Sequence, residues 1–523
     1  MFGTRKLGIV AVALSAALAA CGGAASISAS PGASTGKSAV DPKGVLKYGQ
    51  DLTTAFSDNF DPGAISNSCA ETELSLIYQA VTKTKDNVSI APGVAQSWTV
   101  DNPLQITFKL APGMKFSDGE PLDSNAVKLS LEHTAKSPYR TSLSVITAMD
   151  TPDATTLVMH LNKAQAGDVL WALSFLDGMV YAPNSIPTAD KQPVGSGPFT
   201  LAKYDVGQLV SLRANPTSPV AKLYKLAGVD FVQVGSGPQA LTALKSGQVD
   251  LIDVTPEAYP AAKADPSIGI VQGRSLDYAL IQLRLNAAPF DNPKIRAALE
   301  YAVDRNTINK VVYGGQGEVA DQLFPKGTSG YSKKLAGVYN YNPKKSKQML
   351  KAAGFPNGVS FTMVTLGGQP TFERMAPLLQ SQLAAGGFKV KLVRIQASAI
   401  LQEFYLSKTA NAIVSTNLTN GPALWNNSLN NYTPIGFIAN ALGSPASDIV
   451  SPLVAKADGG SFDPKIVGPP MQELSKTVMA QGLEVPIVFQ PRVLAYKKAR
   501  VGGKVKAPIG LCRSDLEGIY IKK

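Results

Sequence analysis

Catalytic constellations are nearly absent from this sequence. It holds two histidines, His133 and His160, and three cysteines, Cys21, Cys69 and Cys512, in 523 residues. A Ser-His-Asp or Cys-His site needs a base beside a nucleophile, and both histidines fall where packing explains them. His160 lies in the strand-like stretch 156–161, and His133 follows an amphipathic helix. The glycine-rich stretches 195–197, 235–237 and 314–317 lack the trailing Lys-Ser/Thr of a phosphate loop and the Gly-x-Gly-x-x-Gly of a dinucleotide site. They read as turns. No soft-ligand cluster is present, so neither a resident metal nor a cofactor is expected. The chemistry on offer is binding.

The residue types best suited to it stand between Trp425 and Tyr432, in the run WNNSLNNY. Asparagine amides give direction and a flat indole gives contact area, which together suit sugars, glycopeptides, amides and other uncharged polar solutes. The alternative is a surface loop whose asparagines make turns. From Thr409 to Ser447 there is no acidic residue.

The elements that must hold such a site alternate between strand and helix. Strands are expected at 361–366, 389–395 and 412–416, separated by helices at 372–385, which Gly386-Gly387 stops, and at 399–406. A second series has strands at 229–234 and 249–254 around a helix at 239–246, stopped by Gly247. Asp291 to Val312 is amphipathic, with Ile295, Leu299, Ala302, Val303 and Ile308 near one face. Two α/β lobes follow from this alternation.

The formal charge is +12, and +10 without residues 1–20, which contribute Arg5 and Lys6. Lysines and arginines are scattered along the chain, densest at Lys344-Lys345-Lys347 and Lys497-Lys498-Arg500. No zinc-finger or RNA-recognition pattern accompanies them, so nucleic acid is not an expected partner. They read as a solvated basic surface, with attraction to anionic lipid headgroups or cell-wall polymers as the alternative.

The amino terminus reads as an address. Arg5 and Lys6 precede an apolar run from Leu7 to Ala20, too short for a membrane span and right for a signal-peptide core. Leu18-Ala19-Ala20-Cys21 resembles a bacterial lipobox, which makes Cys21 the expected lipidation site. Residues 21–44, rich in Gly, Ala and Ser, read as a flexible tether. Cys69 and Cys512 then remain as one candidate disulfide. Two separate thiols are the alternative, since a bridge needs α-carbons within about 7 Å.

Between residues 93 and 131, GVAQSWTVDNPLQITFKLAPGMKFSDGEPLDSNAVKLSL, a hairpin runs into a helix that Asp123 or Ser124 can cap. This block resembles the "LAxSW … YTFxLRxGVKFxDGxPxTAxDV" signature of family 5 extracytoplasmic solute-binding proteins, the peptide, opine and nickel receptors of ABC importers. Further blocks follow in the family's order: 193–199 (PVGSGPF), 243–250 (ALKSGQVD), 289–305 (PFDNPKIRAAL to AVDR) and 341–355 (YNP to LKAAGF).

The resemblance implies an α/β, two-lobed periplasmic-binding-protein-like fold (type II, cluster C) with an extra subdomain in lobe one. Its expected boundaries are 45–85, 195–288 and 485–523 for lobe one, 86–194 for the subdomain and 289–484 for lobe two. It implies a monomer, lipid-anchored on the extracytoplasmic face of the bacterial cell membrane. Such a protein captures a peptide or small-molecule ligand for an ABC permease driven by separate ATPase subunits. Arg374 resembles the arginine that peptide-binding relatives use for a ligand carboxylate, with an arginine on a helix surface as the alternative. Relatives place an acid for the ligand amine where this sequence has Asn420, so Asn417, Asn420, Trp425 and Asn426 are the expected polar lining. Asn67 and Glu71 fall where the family's amino-terminal pocket loop lies, although Glu71 equally suits a helix amino terminus. A diverged lipoprotein that binds a protein partner in the envelope is the alternative.

Overall fold

The computed structural model describes residues 39–523 apart from 57–58, 66–69, 86–88, 138, 397–398, 418–423, 426–427, 429–430, 435, 445–446, 459–461 and 507–512. Leu46 and Tyr48 point into a core from β1 (Val45–Gln50), and the first turn of α1 (Glu71–Ile77) follows in the chain. β2 (Gly228–Gln233) pairs in parallel with β1. α2 (Pro238–Ser246) opens on proline, whose missing N–H costs nothing in a first turn, and ends at Gly247 with φ 81°. β3 (Leu251–Asp253) then pairs in parallel on the other side of β1. Connections that leave a parallel strand toward opposite sides open a crevice at its carboxyl end, the usual ligand position in α/β sheets.

The chain next runs through β4 (Ile268–Leu283) into a second α/β set. α3 (Pro343–Ala352) precedes β5 (Val359–Gly367), α4 (Pro370–Ala385), β6 (Phe388–Gln396) and β7 (Ala412–Asn417). β5 is parallel to both β6 and β7, so the carboxyl end of β5 is a second switch point. β8 (Glu484–Lys497) returns antiparallel to β4. These strands belong to one eleven-stranded sheet, ordered β6-β5-β7-β4-β8-β3-β1-β2 and continued by Leu209–Ala214 and Phe199–Asp205, with Glu318–Val319 pairing β8 off this path.

Separate hydrophobic cores divide this sheet into two lobes. One unites Leu46, Leu74, Phe231, Leu251 and Ile521; another unites Leu280, Leu299, Met363, Leu379 and Val485. β4 and β8 run through both. Between Arg274 and Tyr278 their register slips, and residues 275–277 stand opposite Gln490 alone. A bulge of this kind bends a strand, and here it falls where the cores divide. A third core, including Ile106, Phe108, Val127, Leu131 and Met159, lies under a four-stranded antiparallel sheet. Its helix Ser124–Thr134 is capped by Asp123, whose Oδ1 accepts from Ala126 N at 2.9 Å.

Most expected strands and helices form within three residues of their predicted ends, with two differences. The amphipathic segment 291–312 is two helices, Pro293–Glu300 and Arg305–Val312, because Asp304 accepts from Thr307 N at 3.0 Å and caps a new start. The helix expected at 399–406 narrows to a π-helical turn, Leu401–Leu406. The end of the supposed tether also belongs to the body: Val40 bridges Lys522, and Asp41 N donates to Ile521 O at 2.8 Å. Among the described residues, no helix is long and apolar enough to cross a membrane.

Candidate functional site

The carboxyl ends of β1 and β3 and the first turn of α1 place Gln50, Asp253, Glu71 and Glu73 along one edge of lobe one. Each is held by a partner. Tyr48 Oη donates to Asp253 Oδ2 at 2.7 Å and lies 2.8 Å from Ser514 Oγ, while Arg492 Nη2 stands 3.5 Å from Asp253 Oδ1. Gln50 Nε2 donates to Glu73 Oε1 at 2.7 Å. Arg513 Nη1 donates to Glu71 Oε1 at 3.1 Å.

On the facing lobe, α4 carries Arg374 and the end of β7 carries Asn417. Arg374 Nη2 donates to Val312 O at 2.8 Å within its own lobe. It also reaches Glu257 Oε2 at 3.4 Å, and Glu257 lies on the turn after β3 in lobe one. This ion pair joins the two carboxyl edges. The two side chains are 40% and 26% exposed. Asn417 Nδ2 donates to Tyr278 Oη at 2.5 Å, and that hydroxyl donates to Glu484 Oε1 at 2.5 Å. Asn431 Nδ2 lies 3.4 Å from Asn417 Oδ1, so part of the amide-rich segment does line up behind Asn417.

Trp425 is placed differently from expectation. Its side chain is fully buried and packs on Phe462 with ring centroids 5.6 Å apart. Ser428, Asn431 and Tyr432 are buried as well, so these residues are not a solvated surface loop. Nearby, Asp458 Oδ1 accepts from Asp168 N at 2.6 Å and ties the helix Ala166–Ala172 to lobe two. Burial holds the Asp458 carboxyl well above the usual range, and the charge of Asp168 adds to the rise.

Glu71 opens α1, as suits a helix amino terminus, and sits on the lobe-one edge with Arg513 as its partner. Asn67, Asn420 and Asn426 lie outside the described residues, as do Cys21 and the candidate pair Cys69 and Cys512. Sequence reasoning missed Asp253, Glu257, Tyr278, Glu484, Arg492 and Arg513. Asp253 and Glu257 end a predicted strand at a switch point, a position that flags them in retrospect. The two arginines have no comparable local signal. Among the described residues, no three His, Cys, Asp or Glu side chains are grouped to hold a metal ion.

Burial pushes the Glu73 carboxyl up to about 8, against the hydrogen bond from Gln50 and with some help from the Asp253 charge. Burial likewise raises Glu71 and Glu484 to about 7. The fold therefore binds these protons more tightly than the unfolded chain does. Their contribution is fully present below the ordinary carboxylate range and is lost as pH rises through the folded values. Stability should fall from about pH 5 to about pH 8. Glu73→Gln should flatten part of that fall, by up to about 1.4 kcal/mol per pH unit. Urea melts across this range test the expectation, and an unchanged slope in the variant contradicts it.

Comparison with known proteins bears on the family and the fold. The model for "Bacterial extracellular solute-binding proteins, family 5 Middle" matches residues 89–436, two thirds of the chain. Heme-binding protein A of Haemophilus influenzae is 28% identical over 419 residues, covering 72% of this chain and 73% of that protein. Glutathione-binding protein GsiB of Escherichia coli K12 is 26% identical over 361 residues, covering 66% and 70%. Among solved structures, AgaA of A. tumefaciens R10 in complex with agropinic acid shares the fold, with a TM-score of 0.77 and 24% identity. The match covers 92% of this chain and 99% of that one.

Proposed function

Because the chain belongs to the bacterial extracellular solute-binding proteins, family 5, we propose that it captures an oligopeptide or similar small polar solute between its lobes and delivers it to an ABC permease. The observation that carries this reading is the pair Arg374–Glu257, which sets a cation and an anion on facing edges. A zwitterion can replace that pair, its carboxylate taking the guanidinium and its ammonium taking Glu257. Lobe one thus supplies the acid that lobe two lacks between residues 409 and 447. The relatives named for glutathione and heme, and AgaA with agropinic acid, show how widely ligands vary around such a cleft.

We read the rest of the chain in the same frame. Residues 1–20 are a leader and Cys21 is the lipid anchor, which holds the protein on the extracytoplasmic face. Lobe two spans 289–484 and the extra subdomain 86–194. The protein works as a monomer with permease and ATPase subunits.

The first experiment is native mass spectrometry of protein purified from its own host, followed by identification of anything released. A co-purified peptide or polar solute supports the reading. An empty cleft, with no thermal shift across peptide, sugar and chelate libraries, defeats it. A sharper test uses a peptide that binds. Glu257→Gln should weaken it about 10- to 100-fold, the usual worth of a charge-assisted hydrogen bond. The same variant should leave binding of the N-acetylated peptide unchanged. Calorimetry that finds equal losses for both peptides removes Glu257 from the site.

A further inference from the structure

The chain's positive charge is unevenly spread along the sequence. Residues 39–290 hold 19 basic and 24 acidic residues, a net of −5. Residues 291–400 hold 15 basic and 6 acidic, a net of +9. The fold brings part of that scatter together at the Gly386-Gly387 turn. α3 exposes Lys344, Lys345, Lys347 and Lys351 and has no acid. It seats on the turn before β6: Ser346 Oγ donates to Gly386 O at 2.9 Å, and a Cβ added to Gly387 would stand 3.3 Å from Lys347 Cγ. β6, the outer strand of the large sheet, then exposes Lys389 and Lys391, again with no acid in the strand. On the other side of α3, Met349 and Ala352 meet Pro293, Lys294 and Ala297 in a shallow, mostly apolar groove of about 310 Å³.

Among the described residues, none of Lys344, Lys347, Lys351, Lys389 and Lys391 forms an ion pair, whereas the Lys345 ammonium stands 3.7 Å over the Tyr301 ring. Arg394, the one arginine of β6, is occupied by Glu373. Lysines on an outer strand also discourage edge-to-edge pairing, but that leaves Lys344, Lys347 and Lys351 of α3 unexplained. The chemistry matters as much as the sign. Arginines and interleaved acids give the forked, registered contacts of a specific protein partner, whereas unpaired lysines are mobile point charges that suit a diffuse anionic surface.

We propose that this face rests on the anionic phosphate surface of a phospholipid bilayer. The inference rests on the reading of Cys21 as a membrane anchor, which would keep the face near such a surface. Lysine ammoniums meet the headgroup phosphates, and their aliphatic stems and the Met349 groove lie toward the interface. With several contacts acting together, the attraction is salt-sensitive, since about 8 Å screens exposed charges at physiological ionic strength.

The test uses residues 22–523, which contain every described element and carry no leader or lipid, in co-sedimentation with vesicles. Binding is expected to phosphatidylcholine vesicles containing phosphatidylglycerol and not to phosphatidylcholine alone. Reversing Lys344, Lys347, Lys389 and Lys391 to Glu should weaken it by at least about tenfold without lowering the melting temperature. Reversing the exposed Lys43, Lys136, Lys222 and Lys263 instead should change it little. Equal losses from the two sets would mean that net charge alone acts, and would overturn the proposal. So would equal binding to both vesicle types, or binding to polyglutamate but not to vesicles, which would assign the face to an acidic protein. Since no solute is added, failure of the solute-capture reading leaves this result standing.

Discussion

Trp425→Ala should lower the unfolding free energy by about 3–5 kcal/mol, the cost of emptying a large aromatic site in a packed core. The indole is fully buried, stacks near Phe462 and shares its core with Leu424. An aromatic displayed for a solute to stack on would lose little stability when truncated. Trp425 is therefore expected to shift thermal and urea transitions strongly, and to affect solute capture through the shape of lobe two. Trp425→Phe, which keeps most of the ring, should recover a large part of the loss. If Trp425→Ala melts like the parent while solute binding disappears, the residue is a stacking platform and its burial is that of a lobe closed over its site.

A loss of similar size, about 3–5 kcal/mol, is expected for Arg305→Ala, which would leave a buried carboxylate without its partner. Arg305 Nη2 lies 2.5 Å from Glu300 Oε2, both side chains being almost wholly buried. Its other donors reach Pro486 O at 2.7 Å and Tyr339 O at 3.0 Å, so one guanidinium pins the returning strand β8 to the helices of lobe two. Burial already pushes Glu300 up to about 7, with Arg305 pulling it down. Removing the cation therefore drives Glu300 toward its neutral form, and the variant should lose further stability as pH rises. The double variant Arg305→Ala/Glu300→Gln should be less damaged than the sum of the single variants. Strict additivity in denaturant titrations would show that the pair does not act as a unit.

Arg305 also shows what the family blocks encode. In Ala302-Val303-Asp304-Arg305 the aspartate caps a helix and the arginine ties three segments together, so this block is legible in sequence because the fold requires it. The same holds for Asp123 at the head of its helix and Gly247 at the end of α2. Local periodicity and stop signals were enough for the strands and helices around both switch points. The candidate site was only half legible. Arg374 could be singled out by resemblance, but its partner Glu257 stands 117 positions away and meets it only through the folding of two lobes. Trp425 is buried although its run of asparagines reads as solvated, because burial depends on what packs from elsewhere. The basic residues were hidden for the opposite reason: Lys347 and Lys389 are far apart in sequence, and Lys347 packs on Gly387, two residues before Lys389.

The path of β8 has a consequence for how the molecule is made. This strand stands between β4 and β3 in the sheet, and the core of lobe one gathers residues from Leu46 to Ile521. Lobe two, by contrast, draws nearly all its strands and helices from one continuous stretch. A chain emerging amino terminus first can complete the later lobe while the earlier one still lacks a central strand. Its first residues must wait for its last, as the bridge between Val40 and Lys522 shows. Contacts across such separations are slow to form and leave sheet edges unsatisfied in the meantime. The half-built lobe is thus the stage at which a nascent chain would most need shelter from premature pairing.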